Sequence, residues 1–381
     1  MNSEWAPALR QKGSTVTIEQ AGAEHRIQWL DYARFLCAMA VLLYHFAYRG
    51  PSFGMVDNVT NFQWLSEIAR YGYLGVDFFF MVSGFVIMMS VEGRTASQFA
   101  AARFVRLYPA FFVCMTTTAV FLALVQDHRF PISFVMWLGN LPIIGTLAGV
   151  RPVDGAYWTL AIEIEFYVLV SVVLLAGLSS RIEQLVRGWL AVQVIASVIG
   201  ANVPLVSDYF MLFSAGCLLF FATTRGWTPF RAAAVGVSII LNVADVARRG
   251  AGFAHELKFE PIPGVLMGAV LVFFLVFIVM GQVQMRLPLG KRIGSLTYPL
   301  YLSHQSIGLI VMGWMAAYIG QWGALVSVAA IMIIFSAVIA VFVEERPRRY
   351  WKALAAKAVS PLVWAERAFQ RTFGSRALQQ P

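Results

Sequence analysis

Asp31, Arg34 and His45 share one short stretch, Leu30-Asp31-Tyr32-Ala33-Arg34 followed by an apolar run to Tyr44-His45-Phe46. Ionisable side chains in a segment long enough to cross a membrane are expensive, so each marks a candidate functional position. Arg34 and His45 are eleven residues apart, which at about 100° per residue returns to nearly the same helix face, roughly 16 Å along the axis. Asp31 precedes Arg34 by three residues and lies on a neighbouring part of that face. A neutral imidazole, titrating near pH ~6.5 when free, can take the proton of a hydroxyl. A guanidinium one bilayer-half away cannot touch the same atom, so Arg34 is expected to line or orient an anion-binding path, with Asp31 beside it. The same residues also have an ordinary reading, as a snorkelling arginine and a histidine bonded to a backbone carbonyl.

Four further groups could serve the same chemistry. Gly72-Tyr73-Leu74-Gly75-Val76-Asp77 leads into Ser83-Gly84-Phe85; Gly75 and Gly84 permit close helix packing, and Asp77 is expected within reach of the His45 end. Asp77 or Glu163 could hold the His45 tautomer, as the carboxylate of a triad does. Arg103 and Arg106 are spaced to share a helical face and grip phosphate, although two arginines after a span are also ordinary topology signals. Trp158-Thr159 opens a segment with two carboxylates, Glu163 and Glu165, in which Glu163 and Tyr167 share a face. Tyr301 and His304 follow a Pro299 kink, where a structural bond and a site role are equally compatible. Glu344-Glu345-Arg346-Pro347 reads as an interfacial charge cluster. There is no P-loop, dinucleotide fingerprint, HExxH or GxSxG, and the five histidines are too dispersed for a metal site.

The elements that must position these groups are membrane helices. Of 381 residues, 59% are hydrophobic and only 13% charged, far from the balance of a soluble domain. The net charge of +9 is distributed between apolar runs, which argues against nucleic acid and for topology signals. Cys37, Cys114 and Cys217 all lie in apolar runs and offer no disulfide framework. The reading is all-α and polytopic, with about ten spans near 30–48, 72–91, 109–126, 157–177, 188–202, 205–222, 231–246, 263–284, 296–316 and 324–343. Residues 131–150, broken by Pro131 and Pro142, read as an outer loop or re-entrant piece. The loop bias of Lys and Arg, with Arg94, Arg103 and Arg106 on one side and Arg248 and Arg249 on the other, places both termini in the cytoplasm. The N-terminal tail, 1–27, lacks the pattern of a cleaved signal peptide, and the first span is expected to be its own anchor. A membrane domain at 28–348 and a basic cytoplasmic tail at 349–381, able to lie on anionic lipid, complete the division.

Taken in order, these blocks resemble a bacterial membrane acyltransferase family, acyltransferase family three, which O-acetylates cell-surface polysaccharides and related glycans. The resemblance rests on Leu30-Asp31-x-x-Arg34 with His45, Gly72-Tyr-x-Gly75-Val-Asp77 with Ser83-Gly84-Phe85, Arg103-x-x-Arg106-x-x-Pro109, Trp158-Thr-Leu-x-x-Glu163-x-x-Phe166-Tyr167, and Tyr298-x-x-Tyr301-Leu302-x-His304. Thr159 departs from the serine usual there. The resemblance implies a ten-span domain in a bacterial cytoplasmic membrane. It would move an acyl group, usually acetyl, from cytoplasmic acyl-CoA, its only co-substrate, with no metal. The acceptor would be a hydroxyl of a polysaccharide, glycolipid or lipid-linked saccharide. His45 would be the catalytic histidine, Arg34 its essential partner, and Arg103 and Arg106 the coenzyme-side pair; Asp31, Asp77 and Glu163 would assist, with Ser83, Trp158, Tyr167, Tyr301 and His304 supporting the acceptor side. Some relatives carry a fused soluble domain, so any second catalytic step is expected from another protein. Direct transfer and a covalent acyl-imidazole are both compatible with these residues. The competing class is a transporter or flippase in which the same charges line a path.

Overall fold

The computed structural model describes residues 28–282 and 289–373, and these are helical, with no strand among the described residues. The expected N-terminal tail at 1–27 lies outside the described residues. The helices are α1 (Gln28–Ser52), α2 (Trp64–Ala69), α3 (Leu74–Val91), α4 (Ala96–Val125), α5 (Phe134–Asn140), α6 (Trp158–Leu175), α7 (Ile182–Val198), α8 (Phe210–Thr224), α9 (Pro229–Leu257), α10 (Pro263–Met280), α11 (Gly290–Ser303), α12 (Ser306–Ile339), α13 (Arg348–Ala358) and α14 (Ser360–Phe373).

Among the described residues, seven helical stretches are long and apolar enough to cross a membrane, against the ten spans expected. The difference lies in particular elements. α7 has 17 residues and α8 has 15, both short for the ~20 that a hydrocarbon core requires. The expected ninth span is interrupted at His304-Gln305, where α11 ends and α12 begins. The stretch Ser306–Glu345 is 40 residues of helix divided by Gly320, whose φ of 70° only glycine adopts freely. The Trp314 ring packs on Phe121 at 5.9 Å and Glu344 pairs with Arg106 at 3.6 Å. Those two positions on α4 are about 22 Å apart, whereas a straight helix would separate Trp314 and Glu344 by about 45 Å. The chain therefore turns back at Gly320.

Local chemistry sets the ends of two helices that differ from expectation. α4 starts at a capping box, Gln98 N donating to the Thr95 hydroxyl and Thr95 N to the Gln98 side-chain Oε1, and ends at Gln126 in the left-handed region. Arg103 and Arg106 thus lie inside a helix and not in a loop, and Pro109 does not end it. α9 has Thr228 as its N-cap and Pro229 in the first turn, with no breaker before Lys258. It runs past residue 246, and Arg248 and Arg249 are helical instead of lying in a loop. Residues 131–150 form only α5 and a short 3₁₀ turn at Ile144–Ala148, with Phe134, Val135 and Leu138 exposed.

α1 is the central element, packed along α11 and against α3, while α3 also packs tightly on α8. The expected glycine contacts are there: a Cβ on Gly75 would stand 2.7 Å from the Cys37 carbonyl of α1, and Gly84 abuts the Phe213 backbone of α8. The apolar core divides into two clusters, one around α3, α8 and α10 and the other around the His45 end of α1 and α12. The three cysteines are unpaired. Beyond the membrane region, α13 and α14 return to α4, where Glu366 accepts from Ser97 N at 2.8 Å and from its hydroxyl at 2.6 Å.

Candidate active site

His45 sits where α1 changes from α to a π turn, Tyr44–Arg49. Such wide turns recur at functional sites because they rotate the following side chains relative to the ladder below. His45 is 9% exposed and its Nδ1 lies 2.9 Å from the Val41 carbonyl and 3.1 Å from Nε2 of His304. His304, 1% exposed, directs its own Nδ1 at the carbonyls of Tyr301 (2.9 Å) and Leu300 (3.1 Å). A carbonyl only accepts, so the His304 proton is on Nδ1 and its Nε2 is a lone pair. That lone pair and the Val41 carbonyl both call for a proton on His45 Nδ1. The remaining nitrogen, His45 Nε2, is then the unprotonated one. The pair is built to present one imidazole base.

This arrangement corrects the expectation for the tautomer. Neither Asp77 nor Glu163 orients His45; His304 and a backbone carbonyl do. The Asp77 carboxylate instead faces Arg249, at 3.3 and 3.4 Å, and Arg249 also binds Asp245 at 2.7 Å. Arg249 thus ties α3 to α9 through buried ion pairs, and the exposed Arg248 joins Asp245 (2.7 Å) to Asp208 (2.5 Å). Glu163 accepts from Ser83 at 3.0 Å and from the Tyr167 hydroxyl.

Glu163 and Tyr167 belong to the other end of α1, with Arg34. The electrostatic neighbours of Arg34 include Arg106, Glu163, Asp31, Tyr167 and Glu344, yet among the described residues it makes no ion pair. Asp31 is 5% exposed and packs on Gly294 of α11. Among the described residues, Arg103 lies over the rings of Phe99 (5.6 Å) and Tyr167 (5.8 Å), and its buried Nε has no hydrogen-bond partner. Arg106 lies over Tyr298 at 5.6 Å and pairs with Glu344, whose buried Oε1 accepts no hydrogen bond among the described residues. Three guanidiniums from α1 and α4 thus converge with part of their donor capacity unused. Arginine forks of this kind can bind phosphate groups bidentately.

The remaining candidates link the two ends to the outside. The Thr159 hydroxyl is 2.9 Å from the Tyr301 hydroxyl, and the Tyr301 ring lies 5.8 Å from His304. Trp158, beside Thr159, is 38% exposed and packs on Tyr209. The sequence reading missed Asp154, 1% exposed, which accepts from Ala156 N at 3.0 Å and from Ser306 N at 2.9 Å and so fixes the break after His304. It missed Tyr73 too, whose buried hydroxyl has no hydrogen-bond partner among the described residues and whose ring packs on Tyr44 next to His45. Arg249 was assigned to a loop, and Glu344 to a structural cluster. Their apolar surroundings give no periodic signal, and only the partner across the fold distinguishes them. Among the described residues no group of three or more His, Cys, Asp or Glu could hold a metal ion.

A family model described as "Acyltransferase domain" matches residues 27–341. The chain is 28% identical over 176 residues to the O-acetyltransferase OatA of Staphylococcus aureus strain NCTC 8325, and equally to that of strains COL and MRSA252. The match covers 41% of this chain and 26% of each relative, so the chain spans about a quarter of the length of those curated relatives. No solved structure matches. The family match takes in both ends of α1, α4, α6 and α11, and the chain belongs to acyltransferase family three.

Proposed function

We propose that the chain is an integral-membrane O-acyltransferase. It moves an acyl group, acetyl in the first instance, from cytoplasmic acyl-CoA to a hydroxyl of a cell-surface polysaccharide, glycolipid or related glycan. The observation that carries this reading is the His45–His304 pair, which leaves His45 Nε2 as a base with a fixed tautomer. The Staphylococcus aureus relatives are named O-acetyltransferases, which agrees with hydroxyl chemistry.

In this reading the arginine end of α1 faces the cytoplasm of a bacterial cell, as the Lys and Arg bias indicates. Arg103, Arg106 and Arg34 bind the phosphates of the donor there, and the acyl thioester extends along α1 toward His45. His45 Nε2 takes the proton of the acceptor hydroxyl as its oxygen bonds to the thioester carbonyl carbon. The carbon–sulfur bond breaks, and the sulfur leaves with the proton that His45 returns. Donor and acceptor become ester and free thiol, with no net change at the imidazole. The acceptor and membrane lipids are the partners this requires.

Membranes carrying the full chain, labelled acetyl-CoA and a glycan acceptor test the proposal. Wild type transfers label, and His45→Ala, at equal expression and detergent stability, loses about 10²–10⁴-fold, the usual contribution of a general base. Equal transfer by His45→Ala would overturn the site. Solute movement without any acyl donor would overturn the reaction and favour a transporter.

A further inference from the structure

Glu165 stands in α6, two residues beyond Glu163, and points away from the arginine cluster. A carboxylate in a membrane-length helix is tolerated when it is paired or faces a wet cavity. Glu165 has no ion pair among the described residues, and it lines a cleft of about 480 Å³. The cleft is framed by Trp158, Tyr209 and Phe253 and by the carboxylates Glu165, Asp208 and Glu256. Its size falls within the range of small-molecule sites. Asp208 is already bound to Arg248 at 2.5 Å, while Glu165 and Glu256 make no ion pair among the described residues. No lysine or arginine lines the cleft among the described residues.

The cleft lies at the histidine end. Trp158 adjoins Thr159, whose hydroxyl bonds Tyr301, and Tyr301 packs on His304. Trp158 and Tyr209 pack together with ring centroids 5.3 Å apart, and Arg249 lies over the Tyr209 ring at 4.6 Å. The ionic network of Asp77, Arg249 and Asp245 therefore backs one wall. The opposite rim is a loop held rigidly: Leu205 and Asp208 have positive φ (62° and 54°), and the Leu205 carbonyl accepts from Trp189 Nε1 at 2.8 Å.

From this we infer that the cleft is the acceptor subsite and that it takes saccharides without anionic groups, either neutral or amino-bearing. The inference rests on the proposed acyl transfer. Aromatic faces offer apolar area to the C–H face of a sugar ring while carboxylates accept its hydroxyl or ammonium protons. A uronate or phosphate sugar would instead meet two carboxylates with no cation opposite, and like-charge juxtaposition rejects it.

The test uses the full chain in detergent with acetyl-CoA and three trisaccharides: a cellotriose, a glucosamine trimer and a trigalacturonate. Acetyl transfer reports the reaction. The difference in fluorescence quenching between wild type and Trp158→Phe reports binding without it. Wild type is expected to acetylate and bind the first two at least tenfold better than the third. Trp158→Ala raises the acceptor KM about tenfold with the donor KM unchanged, and Glu165→Gln with Glu256→Gln brings the trigalacturonate within threefold of cellotriose. Equal use of the trigalacturonate by wild type, an unchanged acceptor KM in Trp158→Ala, or no quenching by any probe overturns the subsite. Quenching that follows this order with no transfer to any sugar leaves the subsite standing and overturns the acyltransferase reading instead.

Discussion

The two ends of α1 solve opposite problems. At the histidine end every polar contact of the imidazole pair is neutral and directional, three backbone carbonyls and a ring nitrogen fixing which atom carries which proton. One lone pair, on His45 Nε2, is left over. At the arginine end the groups are charged and incompletely matched, with the Arg103 Nε buried and unbonded and Arg34 outside any ion pair among the described residues. A buried charge without its partner is costly in a free protein and becomes favourable when a ligand supplies the counter-charge. The first end is finished before substrate arrives. Under the proposed function, the second is completed by the anionic donor.

That contrast is broken most directly at His304. In His304→Ala the His45 imidazole keeps only the Val41 carbonyl, and the ring is free to turn or change tautomer. A kcat loss of about 10²-fold is expected, at the low end of what a general base contributes, with the donor KM unchanged. His304→Gln offers an amide oxygen to His45 Nδ1–H and is expected to recover about tenfold of that loss. A purely structural role would lower Tm and both kinetic constants together, with no recovery in the glutamine variant.

Arg103→Ala and Arg106→Ala sharpen the other side. A charge-assisted hydrogen bond contributes about 1.5–3 kcal/mol, so the donor KM is expected to rise about 10–100-fold per arginine with kcat nearly constant. The increase should shrink as salt is raised, because phosphate binding at a half-exposed arginine is screened. Arg106, with its side chain 31% exposed, is the better variant for that measurement. A kcat effect equal to the KM effect would place these arginines in the transition state and erase the division of labour between the two ends.

How much of this was legible depended on what held each residue. Arg34 and His45 were readable because eleven residues of one helix fix their relative direction without any knowledge of neighbours. Arg103 and Arg106 were readable as a pair for the same reason, and Gly75 and Gly84 because small residues in apolar runs have few other uses. The pairing of His45 with His304, 259 residues apart, depends on α1 lying along α11, which no local period encodes. Asp77 was placed near His45 by an assumed antiparallel packing, but the helix α9 that captures it was read as ending too soon. Length and polarity disagree in α8, which is apolar but only 15 residues long, while the gap expected between residues 316 and 324 coincides with the reversal at Gly320.

A smaller effect separates acid sensitivity of the fold from that of the base. Just beyond α4, Arg129 joins Asp127 (2.5 Å) to Asp57 (2.7 Å), tying the loop after α4 to the segment after α1 on the histidine side. The hydrogen bonds from Arg129 hold the Asp127 carboxyl below its ordinary value. A depressed carboxylate contributes stability that is present above its unfolded value, near pH ~3.9, and is lost as the pH falls through the folded one. The clamp is therefore intact at pH 7 and at pH 5 and is released only below about pH 4. Thermal melts should show wild type losing more Tm between pH 7 and pH 3 than Asp127→Asn, which has no carboxylate to protonate. Transfer lost between pH 7 and pH 5 is then not a loss of the clamp. If Asp127→Asn removed that loss as well, the acid sensitivity would belong to the loop, and the histidine end would no longer be the part of the molecule that arrives complete.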